Sequence, residues 1–266
     1  MNGPPFCLCK GWWDNTKCPD IVYRDVTLMR EAFANKNRGF RFMIKLCIFD
    51  MDGTLVNTID TIAHFANTAL KKFGLDSIPT DDYKLLVGNG SDVLVQRMLK
   101  KLGKNIEDYK ELHPYYVDIY DKDFMYLTAP YEGIVEMLKE IKAEGIKVAV
   151  LSNKDHSTAQ KVAEELFEEG LIDLCMGARA GVPLKPQPDA VFEIMEHFGA
   201  KKEECLYIGD TATDIKTAKN AELYSIGVLW GFRDEAELRG AEADVIISDP
   251  MKIVDIAKKK VKPCNL

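Results

Sequence analysis

Short apolar runs alternate with amphipathic stretches from residue 44 onward, and this alternation constrains the fold more than any other feature of the chain. Alternating strands and helices are typical of a parallel sheet, because each parallel connection needs a crossover that a helix can provide. The sequence therefore predicts an α/β fold, a doubly wound parallel sheet with helices on both faces. The predicted strands cover 44–49, 146–151, 173–176, 204–208, 223–228 and 244–247, and the predicted helices cover 131–144, 155–168, 187–198, 212–220 and 250–260.

One interval breaks this alternation and has helical patterns only. Because it follows the first predicted strand, we expect a helical cap domain inserted there. The predicted helices of this cap cover 59–73, 81–87, 91–102 and 106–121. The predicted domains are an irregular N-terminal extension (1–43), a catalytic core (44–58 and 129–266) and the cap (59–128).

Charge and cysteine usage argue against several classes of protein. The chain has 42 acidic and 35 basic side chains, a net charge of −7, which is unfavourable for binding nucleic acid. No apolar run approaches the roughly 18 residues that span a bilayer, and no secretory signal pattern is present. The seven cysteines are odd in number and scattered, which favours a reducing, cytoplasmic compartment. Cys7, Cys9 and Cys18 lack a nearby fourth ligand, so a zinc site is not favoured.

The stretch Asp50-Met51-Asp52-Gly53-Thr54 follows the first predicted strand directly. Residues i and i+2 of a strand point the same way, so the two carboxylates would repel each other unless a cation or a bound anion compensates. A plain Asp-Gly turn after a strand is the alternative reading.

Polar side chains also follow three other predicted strands: Ser152 and Asn153, then Lys185, then Asp210 and Asp214. The carboxyl ends of parallel strands share one edge of a sheet, where ligands bind. These groups suit phosphoryl transfer, with one aspartate as nucleophile, another as acid and base, and Lys185 and Ser152 on the phosphoryl oxygens. Taken singly, each group also has a plain reading as a helix cap, a helix-start residue or a solvated loop charge.

Carboxylate oxygens are the ligands that Mg²⁺ prefers, so Mg²⁺ is the predicted cofactor. The predicted metal residues are Asp50, Asp210, Asp52 through its backbone carbonyl, and Asp214 as a group that orients metal-bound water. Thr54 and the backbone N–H groups after Asp50 are expected to add donors to the phosphoryl group.

These motifs, in this order over residues 44–228, resemble those of the haloacid-dehalogenase-like hydrolase superfamily. The resemblance implies a Rossmann-like core, with Asp50 as nucleophile and Asp52 as acid and base. It places Ser152 in the second motif, Lys185 in the third, and Asp210 with Asp214 in the acidic fourth. Dehalogenases of this superfamily lack the second aspartate, so Asp52 favours phosphate esters over halides.

Within the superfamily the chain is similar to the phosphoglycolate phosphatase-like branch, on the segments 87–94, 130–134 and 230–233. Asn57 and Glu132 depart from that branch's usual residues. The resemblance implies that the cap selects the substrate, with Gly88, Asn89 and Gly90 as candidate contacts beside Asn153. A plain turn between two helices is the alternative for that glycine-rich segment.

The sequence thus predicts a Mg²⁺-dependent phosphatase acting on a small phosphorylated metabolite through an aspartyl-phosphate. A phosphomutase or a pyrophosphatase or nucleotidase on the same fold remains the alternative, and a non-catalytic regulatory protein is a more remote one. We expect a cytoplasmic monomer or homodimer that binds neither nucleic acid nor membrane.

Overall fold

A computed structural model describes residues 21–23 and 43–258 of the chain. Its central sheet has seven strands in the order β1-β9-β8-β7-β2-β5-β6, and a separate ribbon pairs β3 with β4. All neighbours in the central sheet are parallel except β1, which pairs antiparallel with β9. The strands are β1 Ile21–Tyr23, β2 Leu46–Phe49, β3 Val56–Asn57, β4 Ala129–Pro130, β5 Lys147–Asp155, β6 Leu174–Ala178, β7 Cys205–Gly209, β8 Tyr224–Val228 and β9 Val245–Ile247.

Helices follow the parallel strands, and the predicted α/β fold is confirmed. The apolar side chains of the sheet divide between two large clusters, one with Phe49 and Val150 and one with Ile48 and Tyr207. Both faces of the sheet are therefore covered, as a doubly wound fold requires. The helices are α1 Ile59–Lys72, α2 Thr80–Leu86, α3 Ser91–Lys101, α4 Leu112–Lys122, α5 Ile134–Ala143, α6 His156–Leu166, α7 Asp189–Phe198, α8 Ala212–Asn220, α9 Glu235–Gly240 and α10 Met251–Lys258.

The central strand β2 fixes where the polar residues meet. All four of its residues are fully buried, which explains why this strand is continuously apolar rather than alternating. Phe49, its last residue, lies in register with Val150 of β5 and Ile208 of β7. The residues that follow these three strands therefore share one edge, at the point where the order of the strands reverses.

The interval 59–128 is helical, as predicted, and its helices enclose an apolar cluster of their own. The predicted helix over 106–121 is in fact two elements, a 3-10 turn at Ile106–Tyr109 and α4. Pro114 explains the break, because its ring would clash with the carbonyl of Lys110 in a continuous helix.

The ribbon of β3 and β4 joins this interval to the sheet. Val56 lies opposite Pro130, and Asn57 lies opposite Ala129, so the chain enters and leaves the interval side by side. Each strand has only two residues, and a pattern of alternating apolar residues cannot be recognised over so short a length. The sequence therefore did not predict these two strands.

The N-terminal extension was predicted to be irregular. Residues 21–23 instead form β1, which extends the sheet beyond β9. Cys7, Cys9 and Cys18, the residues considered for zinc, lie outside the described part of the chain. Among the described helices, none is both long and apolar enough to cross a membrane.

We expect Leu70→Ala to lower the free energy of unfolding by about 2–5 kcal/mol, because Leu70 is fully buried in the apolar cluster of the interval 59–128. Leu85→Ala is the matched control: that side chain is 67% exposed on α2, and its loss should change stability by no more than about 0.5 kcal/mol. Urea unfolding measures both values. Equal losses would contradict the assignment of Leu70 to this cluster.

Candidate active site

Asp50 stands at the end of β2, buried, with one of its two oxygens fixed. Its Oδ1 accepts a hydrogen bond from the Met51 N–H at 2.6 Å and pairs with Lys185 Nζ at 2.8 Å. Burial raises the pKa of Asp50 well above its usual value, and the nearby Asp214 raises it further. Oδ2 has no hydrogen-bond or ion-pair partner among the described residues, so it is the oxygen open to a ligand.

Asp52 lies beside Asp50 in sequence but pairs with a different cation. Its Oδ2 is 3.3 Å from Lys154 Nζ, whereas Asp50 pairs with Lys185. Its Oδ1 is buried and has no hydrogen-bond partner within the described chain. The expected repulsion between the two carboxylates is thus relieved by a separate lysine for each.

Lys154 is a buried cation with two polar partners. Its ammonium group pairs with Asp52 and donates to the Tyr120 hydroxyl at 2.8 Å. Burial by itself would lower the pKa of Lys154, but Asp52 and Tyr120 outweigh it and raise the pKa above its usual value. Lys154 therefore stays charged.

Asn153 holds the loop that carries Lys185. Its amide oxygen accepts the Lys185 backbone N–H at 2.9 Å, and its amide nitrogen donates to the Lys185 carbonyl at 3.1 Å. The same nitrogen donates to the Gly88 carbonyl at 3.2 Å. These bonds use both polar atoms of the Asn153 side chain, which is thereby held against the Lys185 loop and Gly88.

Lys185 connects two of the predicted acidic residues. Its ammonium group lies 2.8 Å from both Asp50 Oδ1 and Asp214 Oδ1, and its side chain is buried. Burial would lower the pKa of Lys185, but Asp214 and Asp50 raise it well above its usual value. The ammonium group has three protons, and two of them face these carboxylates.

Asp210, after β7, is fully buried against backbone and side-chain donors. It accepts from the Phe232 N–H at 2.8 Å and from the Thr54 hydroxyl at 3.1 Å. Burial, followed by repulsion from Asp214, raises the pKa of Asp210 to about 7. Thr54, predicted to donate to the phosphoryl group, is itself fully buried and donates to Asp210.

Asp214 helps to cap the start of α8. Its Oδ2 accepts from the Thr211 N–H at 3.2 Å and the Thr211 hydroxyl at 2.6 Å, which makes a capping box. Because its Oδ1 binds Lys185, both carboxylate oxygens have protein partners. Asp214 is thereby held in place relative to Lys185.

Three carboxylates of this site suit a divalent cation. Asp50, Asp210 and Asp214 each offer an oxygen, and these oxygens lie within 4.8 Å of one another. Three buried carboxylates beside one buried ammonium, Lys185, leave an excess of two negative charges, and this repulsion adds to the effect of burial, the main cause of the raised pKa values of Asp50 and Asp210. A divalent cation would balance that excess, and the all-oxygen donor set fits a hard cation. The carboxylate of Asp52 lies outside this group and faces Lys154 instead.

Ser152 lies on the same edge, near the end of β5. Its hydroxyl oxygen accepts the Lys154 backbone N–H at 3.1 Å, so the hydroxyl proton remains free to be donated. Ser152 is buried and lines the same cavity as Asp50 and Asp52, as the sequence predicted.

The glycine-rich segment of the cap lies against the core. The Gly88 carbonyl accepts from Asn153, and the Asn89 side chain accepts from Arg97 Nη2 at 2.7 Å. Gly88 and Gly90 line the cavity, whereas Asn89 does not. The segment therefore forms part of the cap–core contact as well as of the cavity wall.

A cavity of about 110 Å³ lies between the sheet edge and the cap. Most of its charged groups come from the core, and most of its apolar and aromatic groups come from the cap. Its lining includes Asp50, Asp52, Ser152, Lys154, Lys185, Ile62, Leu94, Tyr116, Tyr120 and Phe232.

Sequence reasoning missed Lys154 and Tyr120. Lys154 stands two residues after Ser152 in the same strand, and that spacing placed it on the same side of the sheet. No pattern marked Tyr120, because a tyrosine on an amphipathic helix is most simply a core residue.

Comparisons with known proteins agree with this geometry. The family model of haloacid dehalogenase-like hydrolases matches residues 47–228. A phosphoglycolate phosphatase of Aquifex aeolicus is 30% identical over 217 residues, which cover 80% of this chain and 96% of that protein. A crystal structure from Lactobacillus delbrueckii subsp. bulgaricus aligns with a TM-score of 0.76 at 29% identity, covering 82% of this chain and 99% of that one. A predicted phosphoglycolate phosphatase from Haemophilus somnus aligns with a TM-score of 0.75 at 27% identity, covering 81% and 98%.

Gly53→Ala should destabilise the protein more than Gly74→Ala does. Both glycines have left-handed φ values, +89° and +71°, so alanine costs roughly 1–2 kcal/mol of strain at each. Only at Gly53 would the new Cβ meet a neighbour, Asp210 Oδ2 at 2.3 Å, which adds about 1–3 kcal/mol of overpacking. Urea unfolding of the two variants measures the difference, and equal losses would contradict the close approach of Gly53 to Asp210.

Proposed function

Because the chain belongs to the haloacid dehalogenase-like hydrolase family, we propose that it hydrolyses a small phosphomonoester through an aspartyl-phosphate on Asp50. One observation carries this proposal. Asp50 and Asp52 are each held through one oxygen by a separate lysine, and both line one small cavity. Two carboxylates with separate partners suit two separate roles.

In the first half-reaction, Asp50 Oδ2 bonds to phosphorus as the bond from phosphorus to the leaving oxygen breaks. The electrons of that bond go to the leaving oxygen, which takes a proton from Asp52, so the alcohol departs neutral. Lys185 and the Ser152 hydroxyl donate to the phosphoryl oxygens and stabilise their charge in the transition state.

In the second half-reaction, water attacks the phosphorus of the aspartyl-phosphate. Asp52, now ionised, takes a proton from that water, and the bond between phosphorus and Asp50 breaks. This returns the Asp50 carboxylate and releases phosphate. Lys185 stays on the phosphoryl group throughout.

The metal of this site is magnesium in our proposal. Asp50 and Asp210 would hold it, with the Asp52 backbone carbonyl as a further ligand, and the nearby Asp214 would orient the water around it. Bound Mg²⁺ would supply positive charge that offsets the charge of the phosphoryl oxygens.

The size of the cavity favours a small substrate. Its volume of about 110 Å³ is well below the roughly 300–1,000 Å³ that is typical of drug-sized ligands. A two-carbon ester such as 2-phosphoglycolate, the substrate class in the names of the relatives, suits this space better than a hexose phosphate or a nucleotide. That is why we favour a phosphatase over a phosphomutase or nucleotidase.

Asp50→Asn should reduce phosphate release to background while the fold stays intact, because an amide cannot form the aspartyl-phosphate. Asp60→Asn is the control: it removes an exposed carboxylate at the start of α1 and should retain activity. Phosphate release from 2-phosphoglycolate, pyrophosphate, nucleoside monophosphates and hexose phosphates measures both. Retained turnover in Asp50→Asn would refute the mechanism, and interconversion of hexose phosphates without phosphate release would favour a phosphomutase.

Mg²⁺ should raise the melting temperature of the wild-type protein, because a ligand at a hundredfold excess over its Kd adds about 2.7 kcal/mol of stability. Asp210→Asn should abolish this rise, whereas Asp76→Asn, which removes an exposed carboxylate, should keep it. Calorimetry with and without chelator measures the shift. A full shift in Asp210→Asn would remove Asp210 from the metal site.

A further inference from the structure

Lys154 joins the proposed acid–base residue to the cap. Its ammonium group lies 3.3 Å from Asp52 Oδ2 on one side and donates to the Tyr120 hydroxyl at 2.8 Å on the other. The ammonium group also lies 4.8 Å from the centroid of the Tyr120 ring. Asp52 and Lys154 belong to the core, while Tyr120 is on α4 of the cap.

Burial restricts the positions that the Lys154 ammonium group can take. The Lys154 side chain is only 9% exposed, and a buried ammonium needs hydrogen-bond acceptors or a carboxylate around it. Asp52 supplies one partner, and Tyr120 supplies a neutral oxygen and an aromatic face. Tyr120 therefore limits the positions that Lys154 can take, and Lys154 in turn fixes Asp52 Oδ2.

The two oxygens of Asp52 then have different surroundings. Oδ2 is held by Lys154, while Oδ1 is buried without a hydrogen-bond partner in the described residues. Oδ1 has almost no accessible surface, whereas the Asp52 side chain is 19% exposed and lines the cavity, so Oδ2, the oxygen that Lys154 holds, is the one placed to exchange a proton with the leaving group. A rotation of the Asp52 carboxylate would move this oxygen away from the leaving group.

We propose that Lys154 and Tyr120 are positioning residues that make proton transfer from Asp52 depend on the contact between cap and core. The proposal rests on the proposed function, because it presumes that Asp52 protonates a leaving oxygen. The site is fully assembled for the transition state only when Tyr120 contacts Lys154. The cap thus contributes to the chemistry as well as to the enclosure of the substrate.

A comparison of an aryl and an alkyl leaving group distinguishes this positioning role from a general structural defect. The aryl leaving group of p-nitrophenyl phosphate departs without protonation, whereas an alkyl leaving group needs the proton of Asp52. General-acid catalysis contributes about 10²–10⁴-fold. The value of kcat/KM reports the steps up to departure of the leaving group, so it excludes the later attack of water, which also uses Asp52.

The experiment compares kcat/KM for p-nitrophenyl phosphate with kcat/KM for 2-phosphoglycolate, or for the best alkyl ester of the substrate panel. The full-length variants are Lys154→Met, Lys154→Arg and Tyr120→Phe. We expect Lys154→Met to lower the alkyl value about 100-fold more than the aryl value, Tyr120→Phe to lower it several-fold more, and Lys154→Arg to recover most of the loss.

Thr158→Val is the matched control, because the Thr158 hydroxyl makes another cap–core hydrogen bond, to Asp121 Oδ1 at 3.1 Å. Asp121 directly follows Tyr120, so the control weakens the same contact without touching Lys154. Thr158→Val should change the alkyl and aryl values by the same factor.

Equal losses on both esters in Tyr120→Phe and Lys154→Met would overturn the proposal, since they would make Lys154 a phosphoryl-binding or merely structural group. Tyr120→Phe keeps the aromatic ring and its packing, so it gives an answer even if Lys154→Met does not fold. A wild-type protein that hydrolyses neither ester would refute the proposed function instead.

Discussion

The ion pairs of Lys185 with Asp50 and Asp214 are the interaction on which the site depends. Three carboxylates meet at a buried sheet edge, where unpaired charge is strongly unfavourable, and Lys185 neutralises part of that charge. The loop of Lys185 is in turn held by Asn153, and Asp214 by the capping box of α8. The ammonium group thus fixes three segments of the chain relative to one another, and the backbone of Lys185 connects a fourth, that of Asn153.

The division of labour between core and cap follows from this arrangement. The core supplies every charged group of the cavity that the proposed reaction uses, because the ends of adjoining parallel strands bring such groups close together. The cap supplies the apolar and aromatic wall, and one hydroxyl that contacts Lys154. In the proposed function, the charged groups of the core determine the reaction class, and the small cavity beneath the cap determines which esters fit.

The sequence predicted the strands and the residues at their carboxyl ends, because burial on both faces makes such strands continuously apolar and parallel pairing brings their ends together. Asp50, Ser152, Lys185 and Asp210 were placed on one edge for this reason, and the structure brings them there. The positions of these residues could be predicted, but the partners of their individual atoms could not. The Thr54 hydroxyl was predicted to donate to the phosphoryl group, and in the structure it donates to Asp210. Its partner depends on the path of the loop after β2, which the sequence pattern does not reveal. The pairing of β3 with β4 joins residues more than seventy positions apart, and no local pattern encodes it.

The ribbon of β3 and β4 has a consequence for how this architecture can vary. The chain leaves the core at Asn57 and returns at Ala129, two residues that face each other across the ribbon. The closure of the intervening loop is therefore provided by the ribbon and hardly depends on the length of what lies between. A helical segment of different size or composition can replace the interval without moving β2 or the residues that follow it. In our proposal such a replacement must still bring a group like Tyr120 against Lys154, so the ribbon leaves the length of the cap free to vary but not that one contact.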